Sequence, residues 1–114
     1  MKGNKDILNL LISSDIINMA CNDIADNKTN REVNEMLVEE LSELIKAVIK
    51  LERWDMGEIT LRYNIDEIYE CLYEELADVF IMMVQFIYKN KLSKENLLNE
   101  ITKKLIRYYE TKQE

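Results

Sequence analysis

The stretch Val38–Lys50, VEELSELIKAVIK, decides how this chain is read. Its apolar residues recur at helical spacing, yet Glu39, Glu40 and Glu43 fall among them. On a wheel of ~100° per residue, Val33, Met36, Leu37, Leu41, Leu44, Ile45, Ala47, Val48 and Leu51 form one broad apolar arc. Glu40 lies inside that arc, Glu43 on its edge and Glu39 just outside it. An ionised carboxylate that faces apolar surface is costly unless it is paired or bound to metal.

Outward from this stretch, Thr29 with Glu32 three residues later reads as a capping box, and the helix it opens should run to about Trp54. Upstream, Ile7, Leu8, Leu11, Ile12, Ile16, Met19 and Ala20 predict a first helix from roughly Asn4 to Ala25, broken by DNKTN. Downstream, DMGEITLRY is the one convincing loop. Asn64 with Glu67 offers a second capping box for a helix from Ile65 to Lys89. Ser93 is the N-cap of a last helix ending near Thr111. Proline is absent and the only glycines are Gly3 and Gly57. With 47% hydrophobic residues in 114, the pattern predicts one all-α domain, 1–114, a four-helix bundle-like subunit.

The third helix repeats the anomaly of the second. Its apolar arc is Ile68, Leu72, Tyr73, Leu76, Val79, Phe80, Met83, Val84 and Ile87; Glu75 falls within it and Asp78 borders it beside Cys71. Glu74 points to the polar side with Glu67 and Gln85. If the two helices pair, up to four carboxylates converge with too few inward cations to neutralise them. All-oxygen ligation selects a hard divalent ion, Mg²⁺ first and Mn²⁺ second. The competing reading of each i, i+3 acid pair is a solvated face; two pairs on adjacent helices, each with one inward member, weigh against it.

Composition excludes several classes. A net charge of −7 argues against binding duplex nucleic acid, which requires cations on phosphates. Histidine is absent, so no Ser-His-Asp triad, H-E-x-x-H zinc site or E-x-x-H di-iron site can be built. Cys21 and Cys71 have no metal-type spacing and read as buried thiols in a reducing compartment. The N-terminal apolar run is interrupted by Asn9, Ser13, Ser14 and Asp15, too broken for a secretory signal or a membrane span. The expected location is cytoplasmic, with no membrane partner.

EELSE (Glu39, Glu40, Glu43) followed by EELAD (Glu75, Asp78) resembles the E-E-x-x-E … E-x-x-D signature of the all-α nucleoside triphosphate pyrophosphohydrolases, the MazG-like superfamily. The likeness covers about residues 30–110. It implies a MazG-like fold and Mg²⁺-dependent hydrolysis of a nucleoside triphosphate to the monophosphate and pyrophosphate. By the same resemblance Glu40, Glu43, Glu75 and Asp78 would be metal ligands, and Glu39 a catalytic, water-orienting acid. Lys104 and Arg107, in ITKKLIRYY, resemble a basic stretch on the last helix of such proteins and would meet substrate phosphate. Lys50 falls between Glu39 and Glu43 on the wheel and is a further phosphate candidate, and Trp54 is placed to stack on a base; solvated lysines and a core tryptophan are the plainer readings.

A third helix apolar over most of its circumference must be covered on every side, which predicts a homo-oligomer. The resemblance adds the choice between homodimer and homotetramer. Two readings compete with a general pyrophosphohydrolase: a dUTP- or dCTP-specific pyrophosphatase, and a non-catalytic helical module that binds nucleotide or protein.

Overall fold

The computed structural model describes residues 15–57 and 64–113. They form four helices: α1, Asp15–Asp26; α2, Asn30–Asp55; α3, Ile65–Lys89; and α4, Lys94–Gln113. No strand occurs among the described residues, so the all-α expectation holds. The expected helical residues before Asp15, and most of the loop after Gly57, lie outside the described residues.

The caps explain where the helices begin. At α2 the Thr29 hydroxyl accepts from the Glu32 N–H at 3.1 Å, and the Glu32 carboxylate accepts from the Thr29 N–H at 3.3 Å, the reciprocal box read from the sequence. At α3 only half of the expected box forms. Asn64 Oδ1 accepts from the Glu67 N–H at 2.9 Å, but the Glu67 carboxylate takes the Asn64 side-chain amide at 2.8 Å instead of the backbone N–H. An asparagine cap offers a donor that threonine cannot aim this way. Ser93 Oγ accepts from the Asn96 N–H at 3.2 Å and caps α4. Gly57, at φ 81, ends α2 in the left-handed region.

α2 and α3 pair as an antiparallel hairpin with a seam of alternating four- and three-residue steps. On α2 the seam is Val33, Leu37, Glu40, Leu44, Ala47, Leu51 and Trp54; on α3 it is Ile68, Leu72, Glu75, Val79, Met82, Phe86 and Lys89. Every one of these residues is buried or half-buried. That spacing averages 3.5 residues, the period that keeps one stripe facing a partner helix. α1 packs on α3 through the buried Cys21 and Ala25. At that end Tyr88 OH donates to Asp26 at 2.7 Å and Lys89 Nζ donates to the Ala25 carbonyl at 3.0 Å. Asn30 Nδ2 reaches the Lys89 carbonyl at 3.2 Å.

The apolar arc expected on the third helix is apolar, but the structure turns it differently. Its edge towards α2, Ile68 and Val79 with Met82 just beyond it, is buried, whereas Tyr73, near the opposite edge, is 75% exposed. Gln85, expected on the polar side, is only 2% exposed, because α1 covers that side of α3.

α3 ends in a Schellman motif without glycine. Leu92 N–H donates to the Ile87 carbonyl at 2.9 Å, Lys91 N–H donates to the Tyr88 carbonyl at 3.1 Å, and Lys91 sits at φ 55. The turn sends α4 away from the hairpin: every residue of Lys94–Lys112 is exposed except the half-buried Ile101. The radius of gyration is 17.1 Å, against about 13 Å for a compact chain of this length. The accessible surface is 9150 Å², against about 6,600 Å² for a compact chain of this mass.

Candidate functional site

Glu40 and Glu75 occupy seam positions where an antiparallel helical pair would ordinarily place leucine. Oxygens of Glu40, Glu75 and Asp78 all lie within 4.8 Å of one another. Glu40 and Glu75 are half-buried, and Asp78, one turn beyond Glu75, is exposed at the rim. Glu75 Oε2 is buried without a hydrogen-bond partner among the described residues. The Glu40 carboxyl is pushed above its ordinary value, first by desolvation and then by the charges of Asp78, Glu75, Glu39 and Glu43. Helical pairing has therefore gathered like charge where water cannot fully screen it.

The other sequence-derived candidates fall at different distances from this centre. Glu39 is exposed beside Glu40, as its wheel position implies. Glu43 is exposed and outside the three-residue group; its carboxylate accepts from Lys46 Nζ at 3.3 Å. Its charge still acts on Glu40. Glu74 is exposed, which separates it from its half-buried neighbour Glu75. Lys50 and Trp54 are half-buried on the far half of α2, Trp54 in the seam itself. Lys104 and Arg107 are exposed on α4, the helix that leaves the hairpin.

Two clefts lie away from the acids. One of about 380 Å³ is lined by Asn18, Asn22, Tyr88, Lys91 and Lys94 over an apolar floor. The other, of about 330 Å³, is bounded by Leu37, Leu41, Met83 and Phe86 with the root of α4. Sequence reasoning missed Gln85, whose Oε1 is buried without a hydrogen-bond partner among the described residues. Its heptad relation to Asp78, through Met82, was the available signal, and it becomes readable only once α1 is known to dock there.

Octahedral Mg²⁺ at 2.0–2.1 Å from oxygen holds its ligands at most ~4.2 Å apart. Neighbouring ligands on such an ion stand ~3 Å apart, so the three carboxylates, with oxygens within 4.8 Å of one another, would have to draw together to share it, and Asp78 at the exposed rim has room to move. The donor set is all oxygen, which suits a hard ion. No helix among the described residues is long and apolar enough to cross a membrane. No known protein family, curated protein or solved structure matches the chain.

Proposed function

We propose that this chain is a Mg²⁺-dependent nucleoside triphosphate pyrophosphohydrolase of MazG-like type, acting as a homodimer or homotetramer, with Mn²⁺ an acceptable substitute. The observation that carries the reading is the convergence of Glu40, Glu75 and Asp78 at the centre of an otherwise apolar seam, with an orphaned buried oxygen on Glu75. Such an arrangement is unfavourable without a cation. The acids fit the two motifs that resemble the superfamily's.

A bound Mg²⁺ would polarise the α-phosphoryl group and offset charge on departing pyrophosphate. Glu40, Glu75 and Asp78 would hold the ion. Glu43, one turn along α2 from the cluster, would be a further ligand if its carboxylate left Lys46, an exposed pair worth little. Glu39, exposed beside Glu40, accepts a hydrogen bond from the attacking water and orients it. Lys50 supplies positive charge on the same helix, and Trp54 a surface for a base. Lys104 and Arg107 would contact phosphate only if an α4 helix is brought to the acids.

A pyrophosphate-release screen over the common ribo- and deoxyribonucleoside triphosphates and dUTP, with and without Mg²⁺, tests the reading. Release of orthophosphate instead of pyrophosphate sinks it. Turnover confined to dUTP or dCTP identifies the narrower specialist. The second reading, a non-catalytic helical module, is favoured by the position of both clefts away from the acids; nucleotide binding without turnover would establish it.

A further inference from the structure

Acids outnumber cations 22 to 15 in this chain, yet the cleft of about 380 Å³ between α1 and the root of α4 runs against that balance. Among the described residues that line it, Lys91 and Lys94 are charged and none is acidic. Its floor is aliphatic, made by Val84, Ile87 and Leu92, and α1 contributes two amides, Asn18 and Asn22. Tyr88 also borders it, with its O–H committed to Asp26 at 2.7 Å. Asp23 and Asp26, the acids whose charge reaches Tyr88, lie outside the lining.

We propose that this cleft binds a small organic anion with an aliphatic body. The head meets Lys91 and Lys94, the body lies on Val84, Ile87 and Leu92, and the two asparagines offer hydrogen bonds from α1. Three observations select this chemistry. The first is Lys91 itself, held at φ 55. The closing position of a Schellman turn ordinarily goes to glycine, which has no Cβ to strain. A side chain kept where the backbone disfavours one points to a use for it, and this one is a cation at the rim of the cleft. The second is Lys94, the first residue of α4, where the positive end of the helix dipole adds to its charge. The third is size and lining. An apolar concavity with a few convergent polar groups is the usual form of a small-molecule site. A volume of about 380 Å³ equals roughly a dozen waters at ~30 Å³ each, room for a ligand of similar atom count and too little for a nucleoside triphosphate. The neighbouring cleft shares Ile87 and Leu92 but has no charged residue in its lining, so an anionic head distinguishes the two.

This site is separate from the acids and does not rest on the proposed chemistry. Isothermal titration calorimetry of the full chain with octanoate, 1-octanol and inorganic phosphate tests it. Octanoate should bind saturably at one per chain. Octanol, which lacks the charge, and phosphate, which lacks the body, should each bind at least about tenfold more weakly, the loss of a contact to a charged group or of the apolar burial. Lys91→Gly combined with Lys94→Gln should weaken octanoate by about tenfold or more with an unchanged helical circular-dichroism spectrum, because glycine suits the φ 55 position. Lys103→Gln combined with Lys112→Gln removes the same charge from exposed places on α4 and should leave octanoate binding within about twofold. No saturable octanoate binding overturns the proposal. So does octanol or phosphate binding as tightly as octanoate, octanoate binding that survives the Lys91 and Lys94 substitutions, or an equal loss in the Lys103 and Lys112 variant.

Discussion

Glu40 concentrates the tension of the fold in one side chain. Its folded-state carboxyl sits above its ordinary value because of burial and four neighbouring acids. The folded protein then binds protons more readily than the unfolded chain, so stability falls as pH rises through the folded value. Its stabilising share is complete below the ordinary glutamate value of about 4.3. Glu40→Gln should accordingly raise the metal-free melting temperature at neutral pH and lose that advantage near pH 4; a variant no more stable than wild type at pH 7 contradicts the charge argument. The same change should cut pyrophosphate release more than ~100-fold, beyond the usual cost of a residue supporting a metal ligand. Glu74→Gln, on an exposed carboxylate one residue from Glu75, should leave turnover within about twofold. Gln85 presents the uncharged version of the problem. Replacing it by methionine removes the orphaned buried Oε1 at similar volume and should stabilise by about 1 kcal/mol, read from chemical denaturation with an unchanged m-value.

At the scale of elements, caps and seams determine what each helix can do. Lys91 holds a left-handed conformation that a side chain disfavours. Lys91→Gly should stabilise by up to about 1 kcal/mol, provided the turn remains as described; a loss of stability would mean that the lysine side chain holds the turn. Ile68, 1% exposed at the α2–α3 seam, is the opposite case. Ile68→Ala should cost about 2–5 kcal/mol, seen as a lower denaturation midpoint. α4 differs from both, because among the described residues it packs far less against the other helices than α2 and α3 do against each other. Its charge substitutions should therefore leave the hairpin's own stability nearly untouched.

For the whole molecule, metal and assembly are separable contributions. Mg²⁺ bound only by the folded state adds stability by mass action, about 2.7 kcal/mol at a hundredfold excess over its Kd. Differential scanning fluorimetry should show a melting temperature that rises with Mg²⁺ and returns with chelator. A Glu75→Gln variant should lose that rise while retaining its mass in light scattering. A melting temperature indifferent to Mg²⁺ and Mn²⁺ would leave the carboxylates without the ion proposed for them.

Periodicity and cap residues determined much of this protein locally. Thr29, Asn64 and Ser93 mark helix starts that need only their own neighbours, and the inward places of Glu40 and Glu75 follow from spacing along one helix. Those interactions reach no further than three or four residues, so the sequence alone carries them. What lay beyond it depends on which helix meets which. Gln85 is buried because α1 docks over it, Tyr73 is exposed because α2 takes the other edge of α3, and Glu43 turns to Lys46 because the seam centre passes through Glu40. The departure of α4 is of the same kind. A hydrophobic row states that a helix wants covering, and only the tertiary structure decides whether its own chain supplies the cover.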